Sequence, residues 1–238
     1  MNVLESFRLD GKTALVAMPE APYGKAVALA LCEAGARVYL ASDNKELMEA
    51  VAEEIRKEGF VVKTLEYNPA VEESIVNLKD AILADCGRID IFVLNAGERF
   101  TEGWNGGTSQ ELYANLEKNQ IGTMLSTRII GNAIAQNGTG SVIFISSVYG
   151  LVGPDPHNTM ECPEMEAYDY SLDRVFIFGG YVNYARQAAS YLGQFNVRVN
   201  TICTAPLDKP EKYSREFAKR TTLLRNPREN DIKGLVVY

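Results

Sequence analysis

The segment at positions 16–26, VAMPEAPYGKA, lies between a short apolar run and a helix-like run, where a phosphate-binding turn could form. The free N–H groups in the first turn of a helix attract phosphate, and glycines let the backbone approach it closely. This turn contains a single glycine, Gly24, and two prolines. The residue types leave two interpretations open: a cofactor-binding turn that has diverged, or a connection that binds nothing.

The other residues offer little metal or thiol chemistry. The 238 residues include one histidine, His157, and four widely separated cysteines without a CxxC pair. Zinc sites need such ligands at close spacing, so we predict no metal site. Cysteines scattered in this way are typical of a reducing compartment, and we therefore expect a cytoplasmic protein.

Charge and hydropathy exclude further classes of function. The net charge of −7 disfavours binding to nucleic acid or to anionic membranes. The apolar runs are too short to cross a bilayer, and the first residues lack the apolar core of a secretory signal. We expect a globular protein that binds neither nucleic acid nor a membrane.

Short apolar runs alternate with amphipathic runs along the chain. The predicted strands are 13–16, 37–41, 60–65, 89–94, 141–145 and 197–202, and the predicted helices are 25–34, 44–57, 72–86, 109–135 and one that ends near 191. Short β-branched strands separated by helices are typical of a parallel sheet with helices on both faces. The pattern therefore predicts the α/β class, a doubly wound parallel sheet in a single domain covering 1–238.

Two segments depart from this alternation. The stretch 151–173 has no clear periodicity and contains three prolines and six acidic residues without Lys or Arg. Irregular segments of this length are usually lids or interface segments, and we predict one of these roles here. The acidic stretch 154–173 and the basic stretch 209–220 are candidate contact surfaces, and solvated loops are the simpler alternative.

Several motifs occur in an order that resembles the short-chain dehydrogenase/reductase superfamily over essentially the whole chain. They are DGKTALV at 10–16, LNAG at 94–97, Asn119 in KNQIGT, ISSVYG at 145–150, VRVN at 197–200 and NPRENDI at 226–232. The resemblance implies a Rossmann-like fold that binds NAD(P) at the carboxyl edge of the sheet.

The cofactor positions that the resemblance implies have lost most of their usual residues. The family pattern TGxxxGxG falls on Ala17, Met18, Pro22 and Gly24, so side chains replace two glycines. Ser42 stands at the acidic position that would bind the ribose, and Asn68-Pro69 at the adenine position. Asn95-Ala96-Gly97 is intact, and the family uses that motif largely to brace the sheet. We expect these positions to be vestigial and this chain to bind no cofactor.

The family's catalytic set is Asn, Ser, Tyr and Lys, and here Asn119 and Ser147 match it. Counting back from Asn200 places Arg174 at the Tyr position and Phe178 at the Lys position. Arginine stays protonated far above neutral pH, and phenylalanine has no charge that could lower the pKa of a neighbour. We therefore expect no functional catalytic residue, and activity of the chain alone is uncertain.

These losses favour a non-catalytic subunit that stabilises an active paralogous subunit, in a heterotetramer whose partner holds NAD. The resemblance extends in kind to heteromeric dehydrogenases of hydroxyacyl-CoA compounds that join an inactive subunit to an active one. Two long helices would supply the contact, through Tyr113, Leu116, Ile121, Met124, Leu125, Ile129, Tyr181, Tyr184, Ala188 and Tyr191. About half of these side chains should instead pack onto the sheet.

Three alternatives stay open. The first is an active oxidoreductase with displaced machinery, in which Tyr170 and Arg174 form a Tyr-x-x-x-Arg pair on one helix face. The second is a ligand-binding or regulatory protein that reuses the fold. The third is sugar-modification chemistry, which SSVYGLVGPD resembles and which the missing Tyr and Lys disfavour.

Overall fold

The centre of the molecule is a parallel sheet of six strands in the part of the chain that the structure describes. The computed structural model describes residues 2–95, 100–207 and 209–238. The strands are β1 (Thr13–Ala17), β2 (Arg37–Ser42), β3 (Val62–Glu66), β4 (Ile91–Asn95), β5 (Gly140–Ser147) and β6 (Val197–Thr204). Their order, β3-β2-β1-β4-β5-β6, confirms the predicted doubly wound sheet.

Helices cover both faces of this sheet. They are α1 (Gly24–Glu33), α2 (Lys45–Lys57), α3 (Glu72–Cys86), α4 (Ser109–Leu116), α5 (Gly122–Ala135), α6 (Glu166–Asp169), α7 (Arg174–Leu192), α8 (Glu211–Lys219) and α9 (Lys233–Val237). Alternate strand residues enter two separate cores: Leu15 packs with α3, α5 and α7, and Val16 packs with α1, α2 and α9. Strands buried on both faces explain the continuous apolar runs in the sequence.

The predicted helix over 109–135 is interrupted. A π-helical turn at Glu117–Ile121 separates α4 from α5 and contains Asn119. The Asn119 carbonyl oxygen accepts hydrogen bonds from the Thr123 hydroxyl at 2.5 Å and from the Tyr181 hydroxyl at 3.2 Å. Periodicity of apolar residues does not report such carbonyl partners, so the sequence pattern could not indicate the interruption.

The acidic segment 151–173 folds against the basic segment that follows β6. Asp155 pairs with Arg220 at 3.0 Å, and the buried side chains of Cys162, Met165 and Tyr213 pack together between the two segments. The two candidate contact surfaces therefore contact each other within the chain. Among the described residues, none of the helices combines the length and the hydrophobicity that crossing a bilayer requires.

Asp90 fastens the amino ends of β1 and β4. Its buried carboxylate accepts hydrogen bonds from the Thr13 N–H at 2.9 Å and from Arg88 Nε at 2.8 Å. Burial raises the pKa of this carboxyl, but the Arg88 and Thr13 hydrogen bonds and the nearby Lys12 lower it more, so the pKa lies below its usual value. The ionised form of Asp90 is thus the form that holds the two strands together.

Replacing Asp90 with Asn should lower the free energy of unfolding at pH 7 by about 2 kcal/mol, the usual range for a hydrogen bond to a charged group. A depressed pKa contributes stability above about pH 3.9 that is lost as the pH falls through the folded-state pKa. The difference from wild type should therefore shrink in acid. Urea unfolding at pH 7 and pH 3 measures both effects.

Asp80→Asn is the matched control, because Asp80 is exposed and pairs only with its neighbour Lys79. Its expected effect is below about 0.5 kcal/mol. Equal stability of wild type and Asp90→Asn at pH 7 would contradict the assignment of Asp90 as the link between the strands.

Candidate active site

A cavity of about 290 Å³ opens at the carboxyl edge of the sheet. It is lined by the ends of β4, β5 and β6, by the β1–α1 turn and by the segment before α7, and its side chains include Asn95, Ser147, Tyr168, Arg174 and Lys209. The chain reverses its winding between β1 and β4, and ligands of such sheets bind outside that point. The cavity therefore lies where the fold places a substrate.

The β1–α1 turn begins with Met18 in a left-handed conformation, with φ of 57°, which favours glycine. The Met18 side chain is buried in the core on the α3 side of the sheet. Gly24 has a packing role, because a Cβ there would lie 2.3 Å from the Pro19 carbonyl oxygen. The first residue of the turn thus adopts a conformation that favours glycine, and its side chain packs into the core.

The positions that the resemblance assigns to adenosine border two cavities. One of about 340 Å³ lies between the β1–α1 turn and the start of α2, and Met18 and Lys118 are among its lining residues. The other, of about 10 Å³, is lined in part by Met18, Tyr67 and Pro69 and is at the lower limit of what one water molecule needs. The side chain of Asn68 accepts a hydrogen bond from the Ala70 N–H at 3.0 Å, within its own turn.

At the position that the resemblance assigns to the ribose, polar side chains contact one another at the border of the 340 Å³ cavity. Ser42 hydrogen-bonds to the carboxylate of Glu20. Beside it, Lys118 forms an ion pair with Asp43 at 2.6 Å, linking the segment after β2 to the π-helical turn. Ser42 and Asn68 thus make hydrogen bonds within the protein. A nucleotide bound here would have to replace these bonds or bind without contacting the two side chains.

Hydrogen bonds hold the turn across the strand ends. Asn95 Nδ2 donates to the Pro22 carbonyl oxygen at 3.0 Å, and the Tyr23 hydroxyl donates to the Ala205 carbonyl oxygen at 2.9 Å. The first bond ties the turn to β4 and the second ties it to the segment after β6. Asn95 therefore contacts the turn, the bracing of the sheet by this motif stays a prediction, and Ala96 and Gly97 lie outside the described residues.

The structure brings three of the four predicted catalytic positions to the cavity. Ser147, Arg174 and Phe178 line it, and Ser147 Oγ accepts a hydrogen bond from the Tyr149 N–H at 3.2 Å. A Cβ on Gly150 would lie 2.7 Å from the Phe178 carbonyl oxygen, so α7 packs tightly against the turn after β5. Asn119 does not line this cavity; it borders the one of about 10 Å³.

Arg174 is buried at the start of α7 and lies over the ring of Tyr168, with 3.4 Å between its guanidinium carbon and the ring centroid. Its Nη1 donates to the Tyr168 carbonyl oxygen at 2.7 Å, and Lys209 Nζ lies 3.8 Å from the centroid of the same ring. The ring contacts of Arg174 do not include Tyr170, the partner in the displaced-dyad alternative. The sequence pattern predicts Tyr168 only as a loop or interface aromatic, because its one signal is an aromatic residue six positions before Arg174 in a segment without periodicity.

A buried hydroxyl network lies behind Arg174. Tyr213 donates to Asp169 Oδ1 at 2.8 Å, and the hydroxyls of Tyr149 and Tyr213 are 2.7 Å apart. Burial raises the pKa of Tyr149 to about 12, so this phenol, two residues after Ser147, stays neutral at physiological pH. Burial also raises the pKa of Asp169 and outweighs the Tyr213 hydrogen bond and the Arg174 charge, which lower it.

Known proteins resemble the chain in sequence and fold. A model of the short chain dehydrogenase family matches residues 12–159. A 7alpha-hydroxysteroid dehydrogenase of Clostridium sardiniense is 27% identical over 97% of this chain and 87% of its own length. A D-threitol dehydrogenase of Mycolicibacterium smegmatis is 30% identical over 85% of this chain and 72% of its own. A short-chain type dehydrogenase/reductase structure from Mycobacterium marinum superposes with a TM-score of 0.84 at 25% identity, covering 100% of this chain and 91% of that one.

Tyr213→Phe should lower the free energy of unfolding by about 1–3 kcal/mol, because it removes the shorter of the two hydrogen bonds to the buried Asp169 carboxyl. The loss raises the pKa of Asp169 further. A raised carboxyl pKa disfavours the folded state increasingly as the pH rises from below about 3.9. The effect should therefore be larger at pH 7 than at pH 4 in chemical denaturation.

Tyr113→Phe is the matched control, since Tyr113 is 74% exposed on α4. We expect no change beyond about 0.5 kcal/mol for that variant. A Tyr213→Phe protein as stable as the control would show that the network contributes nothing to the fold.

Proposed function

The chain belongs to the short-chain dehydrogenase family, and we propose that within this family of oxidoreductases it serves as a non-catalytic subunit that stabilises an active paralogous subunit. The observation that carries the proposal is the β1–α1 turn, in which Met18 fills the space beside the strand and Tyr23 is bonded across to the segment after β6. A dinucleotide would have to displace both contacts before it could lie along the sheet edge.

Among the described residues, the two sequence positions that the family gives to its Tyr–Lys pair, 174 and 178, supply no acid–base pair. Proton transfer to a substrate oxygen needs a group whose pKa lies near the working pH. Arg174 remains protonated, Phe178 has no ionisable group, and burial raises the pKa of Tyr149 to about 12. Ser147 could still orient a substrate oxygen, but a serine hydroxyl alone does not transfer the proton.

The surface formed by α5 and α7 supports association with a partner. Ile121, Met124 and Tyr191 are 47%, 43% and 56% exposed, and Met124, Tyr184 and Tyr191 line a shallow groove between the two helices. Tyr181 is instead buried in the core beneath α7, as expected for part of the predicted set, and Ala188 lies at the floor of the groove. Folds of this kind usually associate symmetrically, and a paralogue presents a matching pair of helices.

The finer identity rests on the resemblance in kind. In 2-[hydroxy(phenyl)methyl]succinyl-CoA dehydrogenase of anaerobic toluene degradation, an inactive subunit of this superfamily joins an active one. We propose the same arrangement here, a heterotetramer whose active subunit binds NAD and oxidises a hydroxyacyl-CoA. The glycines missing from the turn and the Tyr and Lys missing from positions 174 and 178 support this comparison.

An active oxidoreductase is the second candidate, and the names of the relatives favour it. Both sequence relatives compared above are dehydrogenases by name, at 27% and 30% identity. In that candidate a tyrosine beside Arg174 replaces the usual Tyr–Lys pair. The sequence suggested Tyr170 for this role, whereas the structure places Tyr168 on the guanidinium.

Calorimetry of the purified chain with NAD⁺ and NADH separates the two candidates. The non-catalytic subunit should show no saturable binding with a Kd below about 1 mM, because on this proposal a dinucleotide has to break the Tyr23–Ala205 hydrogen bond and displace the buried Met18. Dehydrogenase assays with secondary alcohols should stay at the background of the assay for wild type, Tyr168→Phe and Tyr170→Phe alike. Micromolar NAD(H) binding, or an activity that either substitution abolishes, would establish the oxidoreductase instead.

Met124→Asp should weaken association with an active short-chain dehydrogenase paralogue from the same genome by about tenfold or more, since a carboxylate would be buried in the apolar interface. Co-expression, co-purification and analytical ultracentrifugation measure this. Leu235→Asp is the control, because Leu235 is 59% exposed on α9, at the opposite face of the sheet. Equal losses in both variants, or none in either, would argue against the α5–α7 surface.

A further inference from the structure

Arg174 is a buried cation that none of the ion pairs in the described chain includes. Its residue is 2% exposed, and its side chain lines the 290 Å³ cavity. Removing a guanidinium from water costs several kcal/mol unless an opposite charge and hydrogen bonds replace the solvent. Within the described residues Arg174 thus has no carboxylate in direct ion-pair contact, although its charge lowers the pKa of the buried Asp169 carboxyl.

The hydrogen-bonding capacity of Arg174 is also largely unused. A guanidinium has five N–H donors, and within the described residues it makes one hydrogen bond, from Nη1 to the Tyr168 carbonyl oxygen. Its flat face is covered by the Tyr168 ring. Stacking on an aromatic face leaves the edge of a guanidinium free for paired hydrogen bonds to a carboxylate.

The described acidic side chains close to Arg174 in sequence, Asp169 and Asp173, make their hydrogen bonds to other groups and form no ion pair with it. Asp169 accepts hydrogen bonds from the hydroxyls of Tyr213 and Tyr149, and burial raises the pKa of its carboxyl. Asp173 accepts hydrogen bonds from the Thr101 N–H at 3.0 Å and from Asn115 Nδ2 at 2.7 Å. Among the described residues Asp169 Oδ2 has no hydrogen-bond partner, and Lys209 Nζ, 3.8 Å from the centroid of the Tyr168 ring, adds a second cation.

We propose that this cavity binds a small organic carboxylate with an apolar body, and that Arg174 is its anchor. Phe100, Ile145, Phe178 and Leu207 supply apolar wall, while Ser147 and Lys209 add a hydroxyl and a second charge. This combination fits an amphipathic anion better than a bare phosphate or a neutral alcohol. The proposal goes beyond the subunit role, because it requires no cofactor and no hydride transfer by this chain.

Benzoate and benzamide test the proposal on the wild-type full-length chain, since they share a shape and differ in charge. Calorimetry at pH 7 and constant ionic strength should show saturable 1:1 binding of benzoate, with a Kd of about 1 mM or below. Benzamide should bind about tenfold or more weakly. Equal affinities for the two, no saturable binding of benzoate, or inorganic phosphate binding as tightly as benzoate would each overturn the proposal.

Substitutions of the arginine and lysine side chains test where benzoate binds. Arg174→Gln should weaken benzoate about tenfold or more and leave benzamide unchanged, whereas Arg174→Lys should recover part of the affinity. Arg215→Gln, at an exposed arginine of α8, is the matched control and should bind benzoate as wild type does. If Arg174→Gln fails to fold, Lys209→Gln replaces it, with a smaller loss expected. Unchanged benzoate affinity in a folded Arg174→Gln protein would place the ligand elsewhere.

Discussion

The hydrogen bonds of the β1–α1 turn constrain everything at the carboxyl edge of the sheet. Asn95 donates a hydrogen bond to the Pro22 carbonyl oxygen, and the Tyr23 hydroxyl donates one to the Ala205 carbonyl oxygen. The side chain of Met18, at the start of the turn, is buried. Two hydrogen bonds at about 1 kcal/mol each and a buried methionine at about 2 kcal/mol total about 4 kcal/mol. A ligand that had to break all three contacts would lose about a thousandfold in affinity. The turn thereby lies between the 340 Å³ cavity beside the start of α2 and the 290 Å³ cavity over β5 and β6.

The sheet was predictable because its strands are buried on both faces, which leaves continuous apolar runs between helices. The predicted strands lie within a few residues of the observed ones, and the strand order follows the family resemblance. The π-helical turn around Asn119 and the packing of the 151–173 segment against α8 were not predictable. Both depend on side-chain partners distant in sequence, such as Tyr181 for the Asn119 carbonyl and Arg220 for Asp155.

Site residues on an uninterrupted helix could be located by counting positions along the chain, whereas site residues in irregular segments could not. Counting back from Asn200 placed Arg174 and Phe178 at the cavity, because α7 runs without interruption from Arg174 to Leu192. Tyr168 lies before that helix, in a segment whose turns are set by prolines and by contacts to α8, so no period pointed to it. Lys209 likewise reaches the Tyr168 ring only through the fold of the segment after β6.

The cavity is lined by positively charged side chains, although the whole chain carries a net negative charge. The net charge is −7, yet Arg174 stands at the first residue of α7, where the helix dipole is itself positive. A stacked aromatic ring contributes up to about 2 kcal/mol to a desolvated cation, whereas burying the ion costs several kcal/mol. Tyr168 alone therefore does not offset the burial of Arg174. A position that concentrates positive charge in this way is stabilised by an anion, and the cavity beside it is the space in which one can lie.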